Sequence, residues 1–390
     1  MSSSLRIGVI GVGTMGYAHA HYLAGGNVEN AVLSALCDHN PARLEELKSL
    51  FPGIPLFSCT EDLLSAGKCD AVIIATPHYD HPIIGIKAFQ NGLHVLSEKP
   101  LAVQLSAAEA FVQAADQSGK TFCIMLNQRT DPLYIKARQL IQGGVMGMPK
   151  RFHWIITNWY RTQKYYDSGS WRATWLGEGG GVLLNQAPHN LDIWQWLFGM
   201  PERIRAFCTK GKYHHIEVED EALIYGEYAN GATAVFQTST GEYPGTNRLE
   251  ITGDRGKMVL ENGVLKLWRL KEAERTFCFE AQEPFAKIPM EYEEMSFSSK
   301  GSAHGRIIQN FVNHILFEEP LISDGREGVR ELTLSNCAYL SSWEDRWVTL
   351  PPENALFDRH LQALCKNSRL NQGNEAPQNA PYQERWRVRW

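Results

Sequence analysis

The chain has 390 residues, of which 44% are hydrophobic and 21% charged, and its formal net charge is −5. That length predicts roughly two domains of about 100–200 residues each. The mildly acidic balance argues against a protein that binds nucleic acid or a membrane surface, because such proteins usually carry a basic surface. A small polar or neutral molecule is the expected partner.

Eight cysteines are scattered along the chain, and no two of them have C-x-x-C spacing. Neither a zinc site nor a redox dithiol is therefore encoded locally, and we expect buried thiols in a reducing compartment. The first residues leave no room for a signal peptide, and no apolar run approaches the ~18–20 residues of a membrane-spanning helix. The predicted location is the cytoplasm.

The apolar run at residues 5–10 predicts a buried parallel strand, and the sequence Gly11-Val12-Gly13-Thr14-Met15-Gly16 follows it directly. Gly11 permits a tight turn, Gly13 lets a pyrophosphate approach the backbone, and Gly16 allows close helix packing. The helical pattern that follows would present free amides to the anion. This order of strand, glycines and helix predicts a dinucleotide site.

A second apolar run, at residues 31–37, ends at Asp38, 22 positions after Gly16. There a carboxylate would accept hydrogen bonds from the adenosine ribose and repel a 2′-phosphate, which favours NAD over NADP. Two alternatives remain open. Asp38 could instead only cap the turn before Pro41, and Arg43 could reach a 2′-phosphate and allow dual specificity.

Two further buried strands are predicted at residues 69–75 and 93–97, with a helix at 82–91 between them. Strands that alternate with helices at this spacing form a parallel sheet. The segments Thr76-Pro77 and Glu98-Lys99-Pro100 then lie at its carboxyl edge, where ligands bind in open α/β sheets.

The second half of the chain changes to alternating, aromatic-rich stretches, at residues 152–160, 222–228, 232–236, 248–253 and 256–260. Period-two alternation predicts a large, mostly antiparallel open sheet. The predicted fold class is thus an α/β Rossmann domain followed by an α+β domain. The predicted boundaries are a Rossmann dinucleotide-binding domain at 1–127, a substrate-binding and oligomerisation domain at 128–352, and a C-terminal extension at 353–390.

Several motifs resemble those of the Gfo/Idh/MocA family of NAD(P)-dependent oxidoreductases. They are Gly11-x-Gly13-x-x-Gly16-x-x-His19, Ala75-Thr76-Pro77 with His81, His94-Val95-Leu96-Ser97-Glu98-Lys99-Pro100-Leu101-Ala102, and the segment from Gly179 to Asp192. The resemblance implies that Lys99 lies between nicotinamide and substrate, and that the sheet domain packs on another subunit in a homodimer or homotetramer. The cofactor contacts that it implies, together with the fingerprint, are Gly11, Gly13, Thr14, Met15, Gly16, Asp38, Thr76, Pro77, His81, Glu98, Lys99, Asn127 and Arg172.

The second-domain motif departs from the family at Asn185, where an Asp usually stands four residues before His189. Asparagine can hold a substrate hydroxyl but cannot raise the pKa of a nearby imidazole by its charge. Oxidation of an alcohol needs a base and a group that stabilises the developing alkoxide. We expect His189 to accept the proton, Lys99 to stabilise the oxygen, and Asn185 to orient the substrate.

Aromatic and hydrogen-bonding residues are concentrated between positions 159 and 175. Aromatic faces stack on sugar or cyclitol rings, so a polyol ring fits better than an acyl chain. The alternative is that half of these aromatics fill the core. The expected substrate contacts are Lys99, Trp159, Arg161, Trp175, Asn185 and His189.

The leading hypothesis is an NAD-dependent dehydrogenase that acts on a ring secondary hydroxyl of a sugar, glycoside or cyclitol. One alternative is a glycosidase with tightly bound NAD that oxidises the sugar transiently, which requires a further base such as Tyr165, Tyr166 or Asp192. Another is a non-catalytic dinucleotide sensor.

No metal site is expected, since His214 and His215 would point to opposite faces of a strand and the nearby carboxylates fit a solvated loop. Residues 367–381 are polar and rich in Pro, Gly, Asn and Gln, which is typical of a surface linker. Beyond them, strict alternation places Trp386, Val388 and Trp390 on one face of a strand. We expect that strand to pack on the sheet domain or on a neighbouring subunit.

Overall fold

In the computed structural model, which describes residues 4–169, 171–298 and 301–368, the first part of the chain alternates strands with helices. The elements are β1 (Leu5–Ile10), α1 (Thr14–Ala24), β2 (Ala31–Cys37), α2 (Pro41–Leu50), β3 (Leu56–Phe57), α3 (Thr60–Ser65), β4 (Ala71–Ile74), α4 (Asp80–Gln90), β5 (His94–Ser97), α5 (Leu105–Ser118) and β6 (Phe122–Ile124).

These strands form a parallel six-stranded sheet in the order β3-β2-β1-β4-β5-β6. Every residue of β4 is buried, as expected of a strand that helices cover on both sides. The strand order reverses between β1 and β4, and this switch point is where open α/β sheets bind ligands. The predicted Rossmann-type sheet is confirmed, although the short strands β3 and β6 were not predicted.

The second part begins with a 3₁₀ helix at Asn127–Thr130 and contains most of the second sheet. Its elements are α6 (Pro132–Gln142), β7 (Pro149–Ile156), α7 (Gln163–Tyr166), α8 (Pro188–Phe198), β8 (Arg203–Lys210), β9 (Glu219–Glu227), β10 (Thr233–Ser239), β11 (Asn247–Gly253), β12 (Gly256–Glu261), β13 (Val264–Leu270), α9 (Glu274–Glu280), β14 (Met290–Ser296), α10 (Ala303–Phe317), a 3₁₀ turn (Gly325–Glu327), α11 (Gly328–Glu344), β15 (Val348–Thr349) and α12 (Asn354–Asn367).

The second sheet has nine strands in the order β14-β13-β12-β11-β7-β10-β9-β8-β15. Only the β7–β10 pair is parallel within the described residues, so the predicted, mostly antiparallel sheet is confirmed. Alternate residues of β10, such as Ala234 and Phe236, are buried under the helices, and Trp194 of α8 stacks on Phe236 with 5.9 Å between ring centroids. This aromatic layer anchors α8 to the sheet.

Helix α10 returns from the second part of the chain to the first sheet. Its residues Ile307 and Phe311 are fully buried in one cluster with Ile7 and Val9 of β1. The helix therefore completes the core of the Rossmann-type sheet, although the predicted boundaries assign it to the substrate domain. The boundaries themselves stay a prediction.

Helix α12, at the start of the predicted extension, packs on both parts of the chain. Phe357 lies with its ring centroid 5.2 Å from that of Trp343, and Ser106 of α5 donates to Asp358 at 2.9 Å. Residues 369–390, including most of the predicted linker and all of the predicted terminal strand, lie outside the described residues.

The cysteines are less uniformly buried than their scattered positions predicted. Cys37, Cys69, Cys123 and Cys337 are buried, whereas Cys278 is exposed and the other three are partly exposed. Among the described residues, no helix has the length and apolar character that crossing a membrane requires.

Candidate active site

The glycine loop between β1 and α1 is shaped for close backbone approach. Gly11 has φ +81°, and a Cβ atom there would lie 2.8 Å from the carbonyl oxygen of Ala75. A Cβ atom on Gly16 would overlap the carbonyl oxygen of Gly11, whereas one on Gly13 would meet no atom within 4 Å among the described residues. The space above Gly13, at the start of α1, suits an anion that binds helix amides.

Asp38 fixes this loop from the end of β2. Its carboxylate accepts hydrogen bonds from the amides of Val12 and Asn40, both at 2.9 Å. Asn40, and not Asp38, is the cap of α2. Arg43 Nε donates to the carbonyl of Val12 at 2.7 Å. A carboxylate has further lone pairs, so the ribose contact of Asp38 stays a prediction.

His81 connects the two loops at the carboxyl edge of the sheet. Its ring nitrogens lie 2.8 Å from the carbonyl oxygens of Pro100 and Thr76. The ring is therefore occupied in holding the loops, and its burial lowers the pKa of His81. Direct contact between His81 and the cofactor stays a prediction, and what the structure shows is that His81 positions the two loops.

Two polar atoms at this edge are buried and have no hydrogen-bond partner within the described parts of the chain. They are Thr76 Oγ1 and Asn127 Oδ1. Buried polar groups are normally paired, so these two atoms fit a polar ligand. Thr76 also touches the glycine loop, since its Cγ2 would lie 2.7 Å from a Cβ atom on Gly11. The loop and the two atoms fit a dinucleotide such as NAD.

Lys99 connects the first sheet to the loop before α8. Its Nζ donates to the backbone carbonyl of Asn185 at 2.7 Å. Burial lowers the pKa of Lys99, and the carboxylates of Glu98, Glu331 and Glu178 oppose that shift. The structure therefore surrounds this lysine with acids that favour its charged form.

Glu98 is the nearest of these acids, and the backbone amide of Lys99 donates to it at 3.2 Å. Burial would raise the pKa of Glu98, but the hydrogen bond with His19 and the charges of His304 and Lys99 lower it to about 2. The Nε2 of His19 lies 2.8 Å from Glu98 Oε1. Glu98 is consequently an ionised group that fixes its surroundings, not an acid or a base.

His304 reaches this cluster from α10, and it was not predicted from the sequence. Its ring centroid lies 5.9 Å from that of His19, and Asn127 Nδ2 lies 3.1 Å from its Nε2. Burial lowers the pKa of His304 to about 4, against the opposing charge of Glu98. No local motif marks this residue, because its helix is distant in sequence from the other members.

Glu178 is the second residue that was missed, and it holds Asn185. The side-chain amide of Asn185 donates to one oxygen of Glu178, and the backbone amide of Ala173 donates to the other at 2.6 Å. Burial raises the pKa of Glu178, while Arg172 and Lys99 oppose the shift. The sequence gives no clear signal for this role, because Glu178 stands directly before three glycines, and a glycine-rich segment suggests an exposed loop.

His189 lies in the first turn of α8 and is 3% exposed. Burial holds its pKa well below the ordinary value, and the charges of Lys99 and His304 lower it further. The imidazole is therefore neutral near pH 7 and able to accept a proton. Asn185 carries no negative charge that would raise the pKa of His189, which agrees with the lowered pKa.

The aromatic segment contributes a cluster around Tyr165. The guanidinium carbons of Arg161 and Arg172 lie 5.1 and 4.6 Å from the centroid of its ring. Arg172 Nη1 also donates a hydrogen bond to its hydroxyl at 2.8 Å. Trp159 Nε1 donates to Asn190 Oδ1, next to His189, at 3.1 Å. The structure thus places Arg161 and Arg172 over one ring, and Arg161 also lies over the Trp159 ring, with its guanidinium carbon 5.9 Å from the ring centroid.

Trp175 lies apart from that cluster. Its indole is 5% exposed and packs edge-on against Tyr339 and Trp343, each at 5.7 Å between ring centroids. This position suits the alternative in which part of the aromatic segment fills the core. A substrate contact of Trp175 stays a prediction that this packing does not support.

All three candidate bases for a glycosidase already have hydrogen-bond partners, and for Tyr165 the partner is Arg172. Asp192 receives two hydrogen bonds from Arg129, at 2.6 and 2.8 Å, and both side chains are 1% exposed. The hydroxyl of Tyr166 lies 2.7 Å from Thr240 Oγ1. These contacts connect α8 to the 3₁₀ helix at Asn127–Thr130, and α7 to the residue that follows β10.

The acids near His214 are not in a solvated loop, contrary to the prediction from their sequence. Asp220 is fully buried and accepts the backbone amides of Lys212, Tyr213 and His214. Glu219 is 2% exposed and accepts the amides of the loop before α8. The expectation was wrong because both carboxyl groups accept hydrogen bonds from backbone amides in loops, and this role buries them.

Comparison with known proteins agrees with this geometry. Residues 5–126 match an oxidoreductase family with an NAD-binding Rossmann fold, and residues 134–259 match the Gfo/Idh/MocA C-terminal domain. The chain is 28% identical over 270 residues, 67% of its length and 75% of the relative's, to scyllo-inositol 2-dehydrogenase (NAD(+)) of Bacillus subtilis. It is 22% identical to myo-inositol 2-dehydrogenase of Thermotoga maritima over 89% of this chain and 98% of that protein.

A solved structure of the WlbA dehydrogenase of Bordetella pertussis, in complex with NADH and UDP-GlcNAcA, superimposes with a TM-score of 0.75 at 27% identity. The alignment covers 90% of this chain and all of that one. The glycine loop and Lys99 lie within the segment that matches the NAD-binding model, and Asn185, which Lys99 contacts, lies within the segment that matches the C-terminal model. The chain belongs to the Gfo/Idh/MocA family of NAD-binding oxidoreductases.

Proposed function

We propose that the protein is an NAD-dependent dehydrogenase that oxidises a secondary hydroxyl on the ring of a sugar, glycoside or cyclitol. The hydrogen bond from Lys99 Nζ to the carbonyl of Asn185 carries the proposal. It brings a half-buried cation from the dinucleotide domain to the loop directly before α8, whose first turn contains His189. Base and cation thereby meet beside the edge that fits NAD.

Each residue has a separate task. Burial lowers the pKa of Lys99 and the surrounding acids oppose that shift; in its charged form, Lys99 stabilises the negative charge that develops on the substrate oxygen. His189 is neutral and takes the hydroxyl proton. Asn185 uses its amide on Glu178, so its side-chain carbonyl remains to accept a hydrogen bond from a substrate hydroxyl. NAD, when bound, supplies the carbon that accepts the hydride.

The substrate class rests on the Tyr165 cluster and on the relatives. Guanidinium and amide groups form hydrogen bonds with hydroxyls, and aromatic rings such as those of this cluster stack on saturated rings. Two relatives carry the names of scyllo- and myo-inositol 2-dehydrogenases. A polyol ring is consequently the first class to test.

A direct assay tests the proposal. Purified protein is incubated with NAD and separately with inositols, free sugars and aryl glucosides, while NADH and released aglycone are measured. NADH that accumulates with one ring polyol supports a dehydrogenase. Aglycone without net NADH would instead identify the redox-cycling glycosidase, and neither signal would leave a dinucleotide sensor. Lys68→Ala is the matched control for Lys99→Ala, because Lys68 is exposed on the same domain.

We further propose that the protein is a homodimer or homotetramer that packs through the nine-stranded sheet. Phe207 and Leu223 are directly opposed on β8 and β9, and they are 55% and 39% exposed. An apolar pair on an open sheet face is a frequent contact between subunits. Light scattering of the wild type and of Phe207→Glu tests it, and an unchanged oligomer would remove this face from the interface. A cytoplasmic location stays a prediction.

A further inference from the structure

Strand β14 forms one edge of the nine-stranded sheet. It pairs with β13, and no second partner is found among residues 4–169, 171–298 and 301–368. Six of its seven residues are exposed. Such an edge presents a row of backbone N–H and C=O groups that can pair with another strand.

The two faces of β14 differ in chemistry. Glu291 and Glu293 are on the face of their β13 partners Arg269 and Leu267. On the opposite face, Met290 and Tyr292 are 60% and 53% exposed, and Tyr292 lies beside the Trp268 ring with 5.0 Å between centroids. Glu294 also lies on that face and accepts a hydrogen bond from the Tyr292 hydroxyl at 2.6 Å. One face of the edge therefore carries two carboxylates, one of them paired with Arg269, and the other carries an exposed apolar pair beside one carboxylate.

The end of the sequence carries the complementary alternation. Residues 385–390 read Arg-Trp-Arg-Val-Arg-Trp. In an extended strand, alternate residues point to opposite faces. All three arginines would then lie on one face, and both tryptophans and the valine on the other.

We propose that residues 385–390 pair with β14 as a tenth strand of the sheet. The arginines lie beside Glu291 and Glu293, and the tryptophans extend the aromatic row of Trp268 and Tyr292. Cross-strand pairs of opposite charge and of aromatic rings stabilise neighbouring strands. Acidic residues alone discourage an edge from pairing. This edge also exposes Met290 and Tyr292 on one face, so a basic, alternating strand matches the carboxylates of one face and the apolar pair of the other.

The chain is long enough for this contact. The described part ends at Ser368, whose hydroxyl donates to Glu217, two residues before β9. From β9 to β14 there are six strand spacings, or about 29 Å. Residues 369–384 can span about 50 Å when extended. The tail of a chain can therefore reach β14 of the same chain.

Hydrogen–deuterium exchange of the full chain and of a chain without residues 385–390 tests the proposal. We expect the β14 amides that point away from β13 to exchange about tenfold faster or more after the truncation. The amides of β13 serve as the internal control for an intact sheet. Equal exchange in β14 of both proteins would overturn the proposal.

A scrambled tail separates strand pairing from simple charge attraction. Trp386→Arg, Val388→Trp and Arg389→Val keep the composition but make three arginines consecutive, and we expect this chain to behave like the truncated one. Protection that survives the scrambling would contradict the proposal. Glu291→Arg with Glu293→Arg should also remove the protection, and adding Arg385→Glu with Arg387→Glu should restore it.

Discussion

Two glycine loops precede helices in this protein, and they solve opposite problems. The first, at residues 11–16, leaves open space above Gly13. The second, at residues 179–181, has no such space, since Cβ atoms on Gly179, Gly180 and Gly181 would overlap Val103, Tyr339 and Glu219, respectively. One loop admits a ligand, and the other admits only the protein itself.

The amides of the two loops differ in the same way. In the second loop, the carboxyl group of Glu219 accepts the amides of Gly181 and Leu183, both at 2.9 Å, and Tyr339 donates to it at 2.7 Å. In the first loop, the amides at the start of α1 face the space above Gly13, where an anion can bind. Similar glycine content thus serves a cofactor in one place, and in the other it fixes the loop that carries Asn185 and His189.

The largest expected effect comes from Lys99, which connects the two regions. Lys99→Ala should lower kcat by about 10³-fold or more, because it removes the cation at the developing alkoxide. NAD affinity, measured by calorimetry, should stay within about threefold of the wild type, since less than about 0.7 kcal/mol is at stake. Retention of most of the turnover would exclude Lys99 from the chemistry.

A matched pair of alanine substitutions tests the contrast between the loops. Gly181→Ala should destabilise the fold by about 2–3 kcal/mol, because its Cβ would overlap the backbone of Glu219. Gly13→Ala should leave the unfolding free energy nearly unchanged, since its Cβ meets no described atom and its φ is −72°.

NAD binding should show the reverse order for this pair. Gly13→Ala should weaken NAD binding by about tenfold or more, or about 1.4 kcal/mol, because the methyl group occupies the space of the pyrophosphate. Denaturant unfolding and calorimetry measure the two quantities on the same samples. If Gly13→Ala lost stability but kept its NAD affinity, the loop at residues 11–16 would have a structural role and not a cofactor-binding one.

Glu219 predicts a pH dependence of stability. Burial raises its pKa to about 7, although the hydrogen bonds from Tyr339 and Leu183 oppose the shift. The fold therefore favours the protonated acid, so its contribution is complete below about pH 4.5 and is lost as the pH rises to about 7, by roughly 3 kcal/mol. Glu219→Gln should remove this slope between about pH 5 and about pH 8, and an unchanged slope in denaturant unfolding would contradict the assignment.

Glu178 should influence turnover without touching the substrate. A glutamine side chain at this position has one carbonyl oxygen and cannot accept from both Asn185 and Ala173, which costs about one hydrogen bond. Glu178→Gln should therefore lower kcat by about tenfold, or about 1.4 kcal/mol, while KM for NAD stays constant. Glu45→Gln is the surface control, and equal kinetics of both variants would limit Glu178 to packing.

Asp38 should give the smallest effect. Asp38→Asn removes the charge that would repel a 2′-phosphate, so the preference for NAD over NADP should fall by a few-fold to about tenfold. Steady-state kinetics with both cofactors measure the ratio. An unchanged ratio would assign Asp38 to loop support through Val12 and Asn40 alone.

The sequence predicted what local patterns determine. The apolar run of β1 and the glycines after it define the cofactor loop, and the strand before Lys99 places that residue at the sheet edge. Burial of polar groups was not predictable, because Glu178 and Glu219 lie in glycine-rich or charged segments that suggest exposure. His304 could not be found either, since only the tertiary packing of α10 brings it to His19. The core position of Trp175 likewise depends on α11, which is distant in sequence.

Oxidation of a ring carbon by NAD in the region of Lys99 and His189 requires hydride transfer from that carbon to the cofactor. The most direct measurement uses the polyol that gives NADH, deuterated at the carbon that bears the reacting hydroxyl, with the product NADH analysed by mass spectrometry. We expect the deuterium to appear in NADH at similar rates with the wild type and with Lys68→Ala, and at least about 10³-fold more slowly with Lys99→Ala. Deuterium that stays in the sugar product, or transfer by Lys99→Ala at most of the wild-type rate, would contradict this mechanism.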